Sequence, residues 1–254
     1  MTKVNDYDHF AAIRQKALIH GAMLPHRFVE KPAMKKLLKN LENSKVLMLG
    51  CGSGEESKLL EEFGVGEMYG IDLSSESIKL AIKTYPKHKF LVGDMHHLEF
   101  DDEQFDFVYS SLAVHYSGNP LAVYKEVFRV LKPGGSFQFS VGHPVRFASE
   151  RIEIDGDTTR MLGFTCNYAE KPKLYGNYSE FKRYDDVSSR GEILRFWVGP
   201  PSMHFNLLKD AGFVVKEFVE TKAVEECKEI DPFYYERFSR FPQFTIFVAE
   251  KSEK

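Results

Sequence analysis

Between residues 45 and 141, short apolar runs alternate with amphipathic stretches, and this restricts the possible folds more than any other feature of the chain. Lys45–Leu49 (KVLML) is a compact apolar run ending in Gly50, the pattern of a strand buried on both faces. The spacing predicts a helix over 55–63, with Leu59, Leu60 and Phe63 on one side and Gly64 as its stop. Residues 67–71 read as a second strand ending at Asp72. Ser74 or Ser75 then caps a helix whose apolar face is Ile78, Leu80, Ala81 and Ile82. Lys89–Val92 and Phe105–Ser110 read as the third and fourth strands. A helix over 121–131 closes at Lys132-Pro133-Gly134-Gly135, and 136–141 is a fifth strand. Strand and helix in strict alternation imply right-handed crossovers and a parallel sheet covered on both faces. That is the doubly wound α/β class, whose ligands sit beyond the carboxyl ends of the strands.

After Pro144 the rhythm breaks. Residues 145–195 lack the alternation and carry many aromatics, among them Phe147, Phe164, Tyr168, Tyr175, Tyr178, Phe181 and Tyr184. A stretch of this length without structure is uncommon inside a compact domain, so it is expected to form small strands or a lid over the site. A helix over 203–211, a strand over 213–219 and a last strand, Phe244–Glu250, resume the earlier grammar. The first forty residues read as one or two helices outside the sheet.

With 34 Lys plus Arg against 37 Asp plus Glu, the formal charge of −3 argues against a protein built to coat nucleic acid. No window approaches the roughly 18 consecutive apolar residues of a membrane helix, and the first residues carry no apolar leader. Cys51, Cys166 and Cys227 lie far apart, consistent with a reduced interior. The histidines do not combine with cysteine at ligand spacings, so no metal is expected. The chain reads as soluble and cytoplasmic, and nothing in the pattern fixes an oligomeric state.

The chemistry concentrates at Gly50-Cys51-Gly52-Ser53-Gly54, which follows a buried strand and opens a helix. Glycines there permit unusual φ and let a ligand approach the backbone closely. Gly54 comes two residues after Gly52, where a dinucleotide fingerprint places its third glycine three after the second. Glu55 occupies that place, and an acid at a helix start is a poor neighbour for pyrophosphate. No Gly-Lys-Ser/Thr follows, so it is not a P-loop either. The loop suits a nucleoside without a phosphate chain. Asp72, at the end of the second strand, has the position and the carboxylate geometry to accept from both hydroxyls of a ribose; it can also serve as a helix cap or a solvated loop acid. Asp94, at the end of the third strand, can accept from an adenine amino group or simply form a Gly-Asp turn.

Taken together, VLMLGCGSG (46–54), GIDLS (70–74), VGDM (92–95), FDFVYSSLAVHY (105–116), EVFRVLKPGG (126–135), FSVGHP (139–144), LLKDAGF (207–213) and DPFYYERFSRFPQF (231–244) resemble the class I S-adenosylmethionine-dependent methyltransferases, particularly the small-molecule methyltransferase type 11 group. The resemblance runs over nearly the whole chain. It implies a Rossmann-like, seven-stranded, mostly parallel sheet with helices on both faces and its last strand antiparallel. The implied parts are an N-terminal helical cap (1–40), a cofactor-binding core (41–144), an insertion or lid (145–201) and the C-terminal part of the sheet (202–254). It further implies that Gly50, Gly52 and Gly54, with Cys51 among them, wrap the methionine part of S-adenosyl-L-methionine. Asp72 would hold the ribose, Leu73 would pack on the adenine, and Asp94 and the backbone of Met95 would read the adenine edge. Ser110 would line the floor below the sulfonium, and Tyr7, with Phe10, would close over the cofactor from the N-terminal segment. One departure is visible: the family usually has an acid at the third residue of VLxLG, where this chain has Met48.

His115, beyond the fourth strand, and His143, beyond the fifth, are the candidate catalytic residues, with Tyr116 beside the first. Each histidine is open to two readings: a base, needed only if the nucleophile must lose a proton, or a group that shapes the acceptor site. The same residues are expected to act on a small molecule. Two alternatives are methylation of a tRNA base, which needs a basic groove that the charge does not suggest, and a cofactor-binding protein without turnover, which Met48 makes thinkable.

Overall fold

A computed structural model describes residues 11, 15, 23–165, 171–187 and 193–253. A π-helical turn, His26–Glu30, runs directly into helix α1 (Lys31–Leu37). The first half of the sheet then follows the expected order: β1 (Lys45–Leu49), α2 (Ser57–Glu62), β2 (Glu67–Asp72), α3 (Ser75–Thr84), β3 (Lys89–Val92), β4 (Phe105–Ser110), α4 (Pro120–Val130) and β5 (Leu131–Gly142). Ser74 caps α3 by accepting from the Ser77 N–H at 3.1 Å, and Asn119 caps α4 through the Ala122 N–H at 3.3 Å. Each cap satisfies a helix-end donor that would otherwise lack a partner.

Several boundaries shift by a residue or two, the helix expected over 203–211 for one spanning Pro201–Asp210, and two of the differences have a clear local reason. Helix α2 starts at Ser57 and not at residue 55, because the tight turns Gly54 N–H to Cys51 O and Ser57 N–H to Gly54 O, both 2.9 Å, consume the intervening residues. Strand β5 takes in Lys132-Pro133-Gly134-Gly135, read above as the closing loop. Gly134 donates to the Lys251 carbonyl at 2.6 Å and the Gly135 carbonyl accepts from the Lys251 N–H at 2.9 Å, which holds this piece in the ladder despite its proline.

Beyond a short helix α5 (Pro144–Phe147), the insertion forms antiparallel pairs: β6 (Glu150–Ile154) with β7 (Asp157–Met161), β8 (Gly163–Phe164) with β9 (Leu174–Tyr175), and β10 (Lys182–Val187) with β11 (Ile193–Val198). Asp155 and Gly156 turn the first of these with φ of 52° and 85°, the left-handed conformations a two-residue hairpin loop requires. Strand β11 folds back onto the turn Val114–Tyr116 that follows β4. Phe196 lies 5.6 Å from His115, and Gly118 abuts Trp197, where a Cβ would come within 2.9 Å of the indole. The insertion therefore covers the carboxyl end of β4. Helix α6 (Pro201–Asp210), β12 (Val214–Glu220), α7 (Cys227–Ile230), α8 (Pro232–Arg240) and β13 (Phe244–Glu250) complete the chain.

The sheet order is β3-β2-β1-β4-β5-β13-β12, with β1 to β5 parallel and β13 antiparallel to both of its neighbours. Alternate residues of one strand feed different cores. Leu47 and Leu49 pack with Val108, Phe137 and Phe139 on one face, while Val46 and Met48 pack with Leu60, Met68 and Tyr109 on the other. The order reverses direction between β1 and β4, the topological switch point of a doubly wound sheet, and the glycine loop sits there.

His204 of α6 is buried against this core, 3% exposed, with its Nδ1 2.6 Å from the Tyr124 hydroxyl. Burial lowers its pKa to about 4. A histidine held neutral in the fold and free to charge near pH 6.5 when unfolded stabilises fully above that pH and loses its contribution as the pH falls toward about 4. The expected loss is about 3 kcal/mol. Denaturant titrations of the wild type and His204→Gln at pH 7.5 and 4.5 should show the smaller pH-dependent decline in the variant.

Candidate cofactor and active site

The glycine loop is shaped by left-handed backbone at three positions: Gly50, Gly52 and Gly54 have φ of 60°, 53° and 81°. Their surroundings differ. A Cβ on Gly50 would come within 2.3 Å of Ala113 Cβ, and one on Gly54 within 3.0 Å of Tyr85, so both glycines answer to packing. A Cβ on Gly52 would meet only Glu55, at 3.5 Å. Gly52 thus presents backbone toward open space, the side from which a ligand can approach.

Asp72 holds this loop from the neighbouring strand. Its Oδ2 accepts from the Gly52 N–H at 2.9 Å and its Oδ1 from the Ser74 N–H at 2.9 Å. These two contacts fix the carboxylate at the edge of the loop. Ser74, not Asp72, caps α3, and the Asp72 contact to the Ser74 N–H belongs to the turn before that helix. Leu73 is 47% exposed beside it, an apolar face at the strand end. Asp94 accepts from the His96 N–H at 2.9 Å and faces the His96 ring at 2.6 Å. Burial pushes its carboxyl up, but these contacts outweigh it and leave the group below its usual range. The turn reading of Asp94 is thereby met, and its side chain remains half exposed at the end of β3. Met95 lies close to Gly50, and its Cε would be 3.9 Å from a Cβ placed there.

The Cys51 N–H donates to the Ile71 carbonyl at 2.9 Å, a second tie between the loop and β2. Burial, with Asp72 and Glu55 nearby, holds the Cys51 thiol well above its ordinary pKa, so it persists as a thiol. Ser110 is buried and donates to the Leu49 carbonyl at 3.1 Å, fastening β4 to β1. Tyr7 and Phe10 lie outside the described residues.

His115 is 9% exposed, with its ring 4.5 Å from Tyr116 and 5.6 Å from Phe196. His143 is held differently from what a catalytic base needs. Its Nδ1 accepts from the Val145 N–H at 3.1 Å, and its Nε2 lies 2.9 Å from Glu220 Oε1. Burial, only partly countered by Glu220, lowers its pKa. Both ring nitrogens are engaged within the protein, so His143 caps α5 and would have to break a contact to take a proton from an acceptor.

A further polar cluster lies beside the loop, and the sequence motifs gave no sign of it. Glu30 is fully buried; its Oε1 accepts from Ser111 at 2.9 Å and from Ser140 at 2.7 Å. Glu56, two residues past the glycine loop, accepts from Tyr109 at 3.2 Å and from Lys31 at 3.2 Å. His26 stands between the two acids, its Nε2 3.6 Å from Glu30 Oε2 and 3.3 Å from Glu56 Oε1. The available signals were the four-residue spacing of His26 and Glu30 and the second acid after the loop.

Among the described residues no group of three or more His, Cys, Asp or Glu could hold a metal ion, and no helix is long and apolar enough to cross a membrane. The residues present fit an adenosyl ligand without phosphates: an open backbone at Gly52 and an oriented carboxylate at Asp72.

Comparison with known proteins supports the same ligand. A methyltransferase-domain profile matches residues 47–139. An uncharacterised protein of Haemophilus influenzae is 33% identical over 69% of this chain and 73% of its own length. The malonyl-[acyl-carrier protein] O-methyltransferase of Salmonella typhimurium is 33% identical over 48% of this chain, which spans 47% of that relative. The crystal structure of an S-adenosylmethionine dependent methyltransferase from Mesorhizobium loti, 23% identical, superposes with a TM-score of 0.71 over 87% of this chain and 97% of that one, a likeness of fold.

Proposed function

The chain belongs to the class I S-adenosylmethionine-dependent methyltransferases of the type 11 group, and from that premise we propose that it methylates a small-molecule acceptor. The observation that carries the reading is the Asp72 latch, a carboxylate fixed by the Gly52 and Ser74 N–H groups at the edge of an open backbone loop. When bound, the cofactor supplies a sulfonium-activated methyl group, open to direct displacement by an acceptor nucleophile. The protein's part is then to bind, align and exclude water. Gly52 offers its backbone, Asp72 the diol contact, Leu73 an apolar surface for the base, and Asp94 with the Met95 backbone the polar edge. The insertion, with Phe196 and Trp197 packed over residues 114–118, closes the acceptor side with apolar groups suited to an organic molecule. Burial beneath that cover supports His115 as the histidine that contacts an acceptor. The Salmonella relative, by its name an O-methyltransferase of a carrier-bound acyl group, is consistent with a small organic acceptor.

Incubation of the protein with methyl-labelled S-adenosylmethionine and a fractionated cell extract tests the proposal. Label is expected in small organic molecules and should be unaffected by nuclease. Label confined to RNA and lost at moderate salt would identify a nucleic-acid methyltransferase instead. Cofactor binding without label in any fraction would indicate a protein that binds without turnover.

A further inference from the structure

We propose that His26, clamped between Glu30 and Glu56, anchors the carboxylate of the cofactor's amino-acid end. The inference rests on the adenosyl-binding reading above and extends it to residues outside the sequence motifs.

The sheet order gives the direction. Adenine contacts lie at the end of β3, the ribose carboxylate at the end of β2, and the glycine loop at the end of β1. A ligand laid along this row carries its remaining end toward β4, the next strand. His26 stands there. Its partner Glu30 is bonded to Ser111, just past β4, and to Ser140 of β5, while its partner Glu56 follows the glycine loop.

The backbone is built to bring these groups together. The Lys31 N–H reaches the His26 carbonyl, five residues back, so the turn is widened to a π-helical one. Such turns are rare and recur at functional sites. Each acid has an oxygen near the ring. Glu30 Oε2 is buried without a hydrogen-bond partner, and His26, at 3.6 Å, is the cation beside it. Glu56 is shared among His26, Lys31 and Tyr109.

The groups facing the ring are Glu30 from its own turn, Lys31 from α1 and Glu56 from the start of α2. Burial pushes His26 down, and Lys31 also lowers it. The Glu56 hydrogen bond and both carboxylate charges outweigh these effects and leave the imidazole more easily protonated than usual. Among the described residues no hydrogen bond engages Nδ1, and the side chain is 14% exposed. A protonated ring held through Nε2 presents Nδ1–H as a charge-assisted donor, which suits a carboxylate.

Calorimetry with two ligands separates this role from a structural one: S-adenosylhomocysteine, and 5′-methylthioadenosine, which shares the nucleoside and sulfur but lacks the amino-acid end. His26→Gln is expected to weaken S-adenosylhomocysteine at least tenfold and 5′-methylthioadenosine by less than twofold. In the wild type, affinity for S-adenosylhomocysteine should fall as the pH rises above the ordinary histidine range and the ring loses its proton. Glu30→Gln should move that fall to lower pH. The wild-type pH profile needs no variant and stands even if one fails to fold. Equal losses for both ligands, an unchanged S-adenosylhomocysteine affinity, or a flat pH profile would each overturn the proposal. A wild type that binds neither ligand would overturn it together with the adenosyl-binding reading beneath it.

Discussion

Gly52→Val is expected to abolish measurable binding of S-adenosylhomocysteine while the protein stays folded. Two facts set this expectation. Gly52 has φ of 53°, a left-handed backbone that costs a β-branched residue about 1–2 kcal/mol. A Cβ there meets nothing closer than Glu55 at 3.5 Å, so the core does not reject the side chain. The added methyls instead fill the space through which a ligand reaches the loop. Circular dichroism and thermal melting should show an intact fold, and calorimetry no heat of binding. The same substitution at Gly50 would not separate the effects, because a Cβ there lies 2.3 Å from Ala113.

Asp72→Ala is expected to weaken S-adenosylhomocysteine at least tenfold, equivalent to about 1.4 kcal/mol or more. The carboxylate receives the Gly52 and Ser74 N–H groups, each at 2.9 Å, and in the proposed function it also accepts from the ribose diol. Removing it loosens the loop and deletes the diol contact. Asp72→Asn keeps the size and one acceptor oxygen, so its loss should be intermediate. Equal and unchanged affinity across the three proteins would show that neither contact matters to binding.

The sheet was legible because its strands are apolar runs bounded by glycine and polar turns, and buried parallel strands leave that signature. Lys89–Val92, Phe105–Ser110 and Phe244–Glu250 fall where the pattern places them. Strands β12 and β13 are antiparallel neighbours, but α7 and α8 lie between them, since adjacency in a sheet says nothing about the length of the connection. Of the candidate site, the glycine loop and Asp72 stand out in the sequence because their chemistry is local: three glycines close together and an acid at a strand end. The cluster of His26, Glu30 and Glu56 does not. Its members come from a turn before the sheet and a helix after the loop, and Glu30 finds its partners Ser111 and Ser140 at separations of 81 and 110 residues. His143 shows the converse. A strand-end position made it a candidate for catalysis, yet a backbone N–H and Glu220 occupy its two nitrogens.

Calorimetric titration of the purified wild-type protein with S-adenosylhomocysteine, run beside NADH, tests whether the loop and Asp72 cradle an adenosyl sulfur compound lacking phosphates. Saturable binding at one site per chain is expected for S-adenosylhomocysteine, and none for NADH. Heat from NADH alone, or from neither ligand, would contradict that reading.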